Sequence, residues 1–553
     1  MAKQLLVFSP YSGIWPHGIS ESQLISQLDA ANFEPTFVVC NGVLKKHCTV
    51  MESQGVEADS SPSERQKVCR SCKASTRLLA KSFEHKTIEL DSFLESGDID
   101  WASDLVEKAQ PESYLNLLAD SFEIGRLCAY ETLIKFKKTT TNLNSLEFSH
   151  FKDRLLNGAL SLRACQRIFG RETYDAVLIY SPQYSANTMC AEVALSRNIP
   201  VYFTEGSSNI SERYRAIRIW SWKRHKLVNP ALNYWNSSTP SPSSEERRRI
   251  EQHFLEIKRG RSFGVYSRTS RKKLDIRKKF KIEDSTKVLL ATVSSYDEAF
   301  SAMILGAFPE QKFKSDVFES QFDWIENLID WVKNRIEVHL IIRLHPRDLP
   351  NRRESVTSEQ IHSWETTLRN LPSNVSIDHP LDGIPIASYF GTVSALTTGW
   401  SSTAVEALME NVPVVTYDAN LPSYPKEIHL SGRSPEEYWM NLDHSLTAEL
   451  RIDTRSELIN WLNLNFNLGT VRVNGRLLDE PAVQKHIGLY LLVGGITKLF
   501  PAISRRLDLI LAKFFPKGAD SSKLNTVLNE KLDSLYDVQT SSTMRVQGSP
   551  LKL

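Results

Sequence analysis

Short apolar runs, separated by stretches with helical spacing, recur along this chain and restrict it to a fold built on buried parallel strands, because strands covered on both faces have no polar side. Leu5 to Ser9, Phe37 to Cys40, Ala176 to Tyr180 and Val201 to Thr204 form a first set. Lys287 to Val293, Val338 to Leu344, Val375 to Ile377, Ala395 to Thr397 and Val412 to Tyr417 form a second. Residues between about 75 and 170 carry Leu, Phe and Ala at three- and four-residue steps and read as mainly helical. The expectation is an α/β chain with two doubly wound, Rossmann-type domains and a helical tail. With 553 residues there is material for more than one core. We place the first domain at 1–279, with a helical insertion, the second at 280–470, and the tail at 471–553.

A Ser/Pro-rich stretch from Asn236 to Arg249 reads as a surface loop near the interdomain connection. In the tail, Ile487 to Phe500 is apolar but shorter than the roughly 20 residues a membrane span needs. Arg505, Arg506, Lys513 and Lys517 follow it, a pattern that suits a helix lying on an anionic membrane surface and equally a helix packed back on the first domain. Gln539 to Leu553 reads as disordered. The opening segment is too short and too early broken, at Pro10 and Gly13, for a signal peptide, so a cytoplasmic location is expected, with the inner face of the plasma membrane as a contact. A net charge of +2 gives no field to recruit nucleic acid.

Two segments carry the chemistry. Arg343-Leu344-His345-Pro346-Arg347 stands at the end of a strongly apolar strand, where open α/β sheets bind ligands. Two guanidinium forks and an imidazole suit phosphate oxygens, whereas an isolated His-Pro is more often a packed loop with solvated arginines. About fifty residues on, Thr397-Thr398-Gly399-Trp400-Ser401-Ser402-Thr403 leads into a helix and the strand Val412 to Tyr417. Ser401, Ser402 and Thr403 offer hydroxyls and backbone N–H groups to an anion, although Ser and Thr at such a place also act as ordinary helix caps. Glu406 suits a ribose or simply the start of the helix.

The ordered segments SQFDWIENLIDWV, LIIRLHPRDLPNRRESVTSE and GWSSTAVEALMENVPVV resemble the capsule and surface polysaccharide biosynthesis glycosyltransferases, a GT-B group that includes bacterial Kdo transferases. The resemblance covers about residues 285 to 425 and implies two Rossmann-type domains facing a cleft. It implies a nucleotide-sugar donor, a CMP-sugar in particular, and a saccharide or glycolipid acceptor. By the same resemblance His345 with Pro346 and Ser401 with Ser402 are the two donor-phosphate motifs, and Arg343, Arg347, Thr403 and Glu406 join them as donor-binding candidates on their placement alone. His-Pro and Ser-Ser elements also resemble those of CDP-glycerol-using polyol-phosphate polymerases, so that chemistry stays open, as does a non-catalytic scaffold subunit or an epimerase of the same plan.

The acidic motif that supplies the general base in related sialyltransferases has no clear counterpart. Glu205, in Thr204-Glu205-Gly206-Ser207, and His17, with Glu21 in the first strand-to-helix loop, are equal candidates for that base, with Asp297 and Glu298 behind them. There is no paired-aspartate metal motif, so transfer is expected to need no cofactor. Cys40, Cys48, Cys69 and Cys72 cluster in sequence, the last two as CxxC, and could clamp a structural zinc or simply be small buried hydrophobes.

Overall fold

The computed structural model describes residues 2–222, 230–235, 239–259, 274–308, 314–350, 355–447, 452–473, 501–514 and 520–538. The apolar runs become strands, and their burial explains why. In β1 (Lys3–Phe8) Leu6, Val7 and Phe8 are wholly buried, so each contributes about 1.5–3 kcal/mol by leaving water. β1 pairs in parallel with β2 (Phe33–Val39) on one side and β4 (Ala176–Tyr180) on the other. β3 (Lys86–Glu89), β5 (Val201–Gly206), β6 (Ala216–Ser221) and β13 (Val471–Arg472) complete a seven-stranded sheet ordered β13-β6-β5-β4-β1-β2-β3. Only β6 runs against the rest, pairing antiparallel with both its neighbours, β5 and β13.

The second sheet is parallel throughout. β7 (Lys287–Thr292), β8 (Val338–Arg343), β9 (Val375–Asp378), β10 (Ala395–Thr398), β11 (Val414–Thr416) and β12 (Leu430–Ser431) are ordered β12-β11-β10-β7-β8-β9. One of its cores joins Leu289, Ile342 and Val415 of the strands to Trp324, Leu328 and Val332 of the helix Gln321–Lys333 and to Tyr438. Two Rossmann-type units in one chain are the fold class expected.

The limits of the two units differ from those expected. One unit takes Met1–Thr132, Thr141–Lys226 and Phe466–Leu553; the other takes Leu133–Thr140 and Leu227–Asn465. The expected border at 280 therefore moves back: the helix Ser244–Lys258 packs on the helix Ile452–Asn463 of the second unit, burying Ile250, Phe254 and Ile257. Residues 244 to 249, taken as surface loop, open that helix behind a Ser243–Glu246 capping box. Leu133–Thr140 joins the second unit because the wholly buried Lys137 donates from Nζ to the carbonyls of Leu349, at 3.0 Å, and Val356, at 2.5 Å. Its neighbour Thr139 donates its N–H to Glu359 at 2.8 Å.

The described part of the tail is not a separate element. β13 extends the first sheet, and Leu524, Val527 and Leu528 of the helix Ser521–Glu530 join the core of Leu5, Val7 and Leu178. The helix Pro501–Phe514 lies on the same unit, where Asp508 accepts from the indole N–H of Trp15 at 2.8 Å and Leu509 packs with Trp15, Ile19 and Leu79. The apolar stretch Ile487 to Phe500 and the end from Gln539 to Leu553 lie outside the described residues. No helix among the described residues is long and apolar enough to cross a membrane.

Candidate functional site

In the second unit the chain leaves β7 toward β8 and β9 on one side, while β10 lies on the other. The carboxyl ends of β7 and β10 thus flank a topological switch point, the place where open α/β sheets take ligands. A chain of hydroxyls spans it. Thr292 and Thr403 share a hydrogen bond at 2.9 Å, and Thr403 Oγ1 donates to Ser401 Oγ at 2.9 Å. Thr398 Oγ1 donates to the carbonyl of Thr292 at 2.7 Å, tying the two strand ends together. Ser401 Oγ also accepts from the N–H of Thr403 at 3.3 Å, so it does the capping. Ser402 directly precedes the helix Thr403–Met409, is exposed, and makes no side-chain cap bond. Gly399 is required here, since a Cβ would stand 2.9 Å from the Tyr417 ring.

Two buried polar atoms at this edge have no hydrogen-bond partner among the described residues: Ser294 Oγ, just after β7, and Glu406 Oε2, in the helix after β10. Each leaves a hydrogen-bonding site open to water or to a ligand group. Burial pushes the Glu406 carboxyl up to about 7, with the Arg343 charge opposing.

The His345 segment at the end of β8 is arranged differently from expectation. Arg347 is wholly buried: Nε pairs with the equally buried Asp297 at 2.6 Å, and Nη2 donates to the carbonyl of Ile134. Its Nε and Nη2 are thus both engaged within the protein. Asp297, held in turn by Ser295 Oγ, is removed from the candidate bases by the same pair. Arg343 pairs with Asp378, donates to the carbonyl of Ile384 at 3.0 Å and lies over the Tyr389 ring. Its fork is thus engaged, and its charge rather than its donors reaches the switch point. His345 stays partly exposed, but burial first, then the charges of Arg347, Arg343 and Lys137, push its pKa down to about 3. The imidazole is neutral near pH 7. Its Nδ1 accepts the Arg347 N–H at 3.2 Å, which puts the ring proton on Nε2 as a donor. Pro346 holds the turn between them.

In the first unit the switch point lies between β1 and β4. His17 and Glu21 sit on the helix Trp15–Ile25, not in a loop, because Pro16 at its start favours helical geometry. His17 stacks on Tyr180 with ring centroids 4.3 Å apart. Glu21 is buried, accepts from Ser9, and has its carboxyl pushed up to about 7 by burial. Glu205 forms an ion pair across the strands with Arg218.

Cys40, Cys48, Cys69 and Cys72 line one pocket of about 50 Å³ beside the ends of β1 and β2. Among the described residues no three of their sulfurs lie within 4.8 Å of one another. Among the described residues, the group with that ligand spacing is His47, Glu52 and His150. Its centre already holds a cation: Arg154 Nη2 donates to His47 Nδ1 at 2.5 Å and to Glu52 at 3.1 Å. Sequence reasoning missed Lys137 and Asp348, whose carboxyl is pushed up to about 7 by burial. Nothing local marks them, since Lys137 reaches its partners across more than two hundred residues.

A scan of protein-family models finds no match, and no curated protein matches. Among solved structures, the chain aligns with a Thermosulfurimonas dismutans KpsC, described as a beta Kdo 2,4 transferase, at 12% identity and a TM-score of 0.34, covering 58% of this chain and 88% of that one. It also aligns with Staphylococcus aureus MnaA in a co-structure with UDP, at 12% identity and a TM-score of 0.27 over 89% and 97% of the two chains. The calicheamicin glycosyltransferase CalG4 aligns at 12% identity and 0.24, over 92% and 98%. These likenesses are distant, and the reading of the site rests on its own geometry.

Proposed function

We propose that this chain is a glycosyltransferase that moves a sugar from a nucleotide-sugar, a CMP-sugar in particular, onto a growing surface or capsular polysaccharide or a glycolipid. The observation that carries the reading is the β7–β10 switch point. It combines a hydroxyl-lined edge at Thr292, Thr398, Ser401 and Thr403 with the buried, unpartnered Glu406 Oε2 and Ser294 Oγ. Hydroxyl and N–H donors suit a phosphate, and a carboxylate that lacks partners suits the two hydroxyls of a ribose. His345 adds a neutral Nε2–H donor for the leaving phosphate, and Arg343 adds charge nearby. Fixed donors of this kind stabilise a departing nucleotide. The CMP preference comes from the resemblance of the His345-Pro346 and Ser401-Ser402 segments.

For deprotonating the acceptor we favour His17 over Glu205, because the Glu205 carboxylate is already engaged by Arg218. Contact with the inner membrane surface belongs to the same reading.

The test is thermal-shift binding of the full chain against CMP, CDP, UDP, GDP and dTDP, since a ligand of the folded state raises its melting temperature. Selective stabilisation by CMP, lost in His345→Ala, supports the proposal. A UDP or GDP preference overturns the CMP assignment. Response to CDP with release of CMP and transfer of a phosphorylated polyol replaces sugar transfer by polyol-phosphate transfer, and no response to any nucleotide refutes the donor site.

A further inference from the structure

Four of the seven cysteines converge on one pocket, while Cys128, Cys165 and Cys190 are buried elsewhere in the core. Cys40 follows β2, Cys48 precedes the short helix Thr49–Ser53, and Cys69 and Cys72 stand one turn apart on the helix Pro62–Phe83. The remaining wall is largely apolar, with Val39, Leu44, Val50 and Met51, and carries the cations Lys73 and Arg77.

The backbone turns tightly beside these sulfurs, so that a Cβ on Gly42 would stand 3.6 Å from Cys69 Sγ. The chain adopts an unfavourable shape to do so: Asn41 and Gly42 both have positive φ, at 44° and 91°. Asn41 is held there by side-chain bonds to Glu89 at 2.7 Å and Asp91 at 3.0 Å. Gly13 cannot carry a side chain, because its Cβ would stand 2.3 Å from Cys72 Sγ. Four thiols gathered round one largely apolar cavity form a ligand set for a metal, which replaces the thiol protons and neutralises the sulfurs where water cannot.

We infer that Cys40, Cys48, Cys69 and Cys72 are the four thiolate ligands of a metal centre in the first unit, built independently of the nucleotide site. The centre is soft, as all-sulfur ligation selects zinc or iron–sulfur chemistry over magnesium or calcium. A single tetrahedral zinc, with Zn–S about 2.3 Å, needs sulfurs about 3.8 Å apart. The four sulfurs stand wider than that, since no three are within 4.8 Å of one another, so zinc requires the pocket to contract. An iron–sulfur cluster, which spaces its cysteines more widely, does not.

The experiment is metal analysis and visible absorption of the full chain purified without oxygen. The expected result is about one centre per chain: zinc without colour, or iron with acid-labile sulfide and broad visible absorption. The double variant Cys69→Ser/Cys72→Ser should lose at least about tenfold of that metal, while Cys165→Ser keeps it. Because a metal-free variant can misfold, the native chain is also stripped with chelator and titrated with cobalt(II). Sulfur-to-cobalt charge-transfer absorption, with release of protons from the thiols, supports the site. Metal retained equally by the double variant overturns it. So does a native chain that is isolated without metal and shows neither cobalt–thiolate absorption nor a zinc-dependent rise in melting temperature.

Discussion

Replacing Glu406 by glutamine tests the switch-point reading through pH. Burial raises the Glu406 pKa from 4.5 to about 7, and Arg343 offsets only part of that. At about 1.4 kcal/mol per unit, holding this carboxylate ionised in the fold costs about 3 kcal/mol. The sign follows from proton binding. A raised carboxyl keeps its proton longer in the folded than in the unfolded chain, so its contribution is intact below about pH 4.5 and is lost as pH rises through about 7. Glutamine never ionises. The Glu406→Gln chain should therefore match the native chain near pH 4.5 and exceed it by up to about 3 kcal/mol at pH 8, read from urea denaturation at each pH. Nucleotide binding should respond in the opposite sense. Ribose hydroxyls donate to the carboxylate, so native affinity should rise as pH climbs from 5 toward 7, by up to tenfold per unit, and level off above. In Glu406→Gln it should be flat and weaker at pH 8. Glu21 and Asp348, also near 7, titrate in both chains, so the difference between them isolates Glu406. Parallel stability profiles, or an equal slope of affinity in both chains, would refute the reasoning.

Other consequences are direct. His345→Ala should lower kcat by about 100-fold, the scale of one lost transition-state donor. With a pKa of about 3 the native His345 should add no inflection to the rate profile between pH 5 and 8, and a kinetic pKa near 6.5 that disappears in the variant would contradict its neutral state. Asp297→Ala leaves the Arg347 charge buried without its partner and should destabilise the chain by about 3–5 kcal/mol in urea titrations; a loss under about 1 kcal/mol would mean that the pair is not buried as described. Leu528→Ala should cost about 2–5 kcal/mol if the tail helix belongs to the first core, and an unchanged denaturation midpoint would detach it.

The central strands were legible because they are apolar on both faces, as in the LLVF of β1 and the VLLA of β7. The strands β3, β6, β12 and β13 were not. β3 is KTIE and largely exposed, β6 mixes Arg218 and Trp220 with apolar residues, and β12 and β13 have two residues each, so none offers a run to read. Unit limits were partly legible. Apolar spacing shows that Ile250 and Phe254 share a helical face, but not that this face meets the helix Ile452–Asn463. In the site, the positions of Ser401, Thr403 and Glu406 followed from strand, loop and helix order. The engagement of the arginines did not, because a guanidinium at a strand tip can point to either side and its partners Asp297 and Asp378 lie tens of residues away.

That engagement changes what the Arg343 to Arg347 segment does. Three cationic donors on a phosphate would make binding strong and nearly independent of geometry. Here Arg347 is locked to Asp297 and to the Ile134 carbonyl, Lys137 to the carbonyls of Leu349 and Val356, and Arg343 to Asp378. These three bonded cations surround His345 and help keep it uncharged. Because the Arg347 N–H occupies Nδ1, the remaining ring proton has one place to be, and the strand tip offers a single oriented Nε2–H donor. Such a donor gains strength as negative charge develops on a leaving phosphate, and it needs no reorganisation to meet that charge. The segment is thus better described as a rigid mount for one neutral imidazole than as a basic patch. On the proposed function, its charge arises from the mount and its chemistry from the histidine.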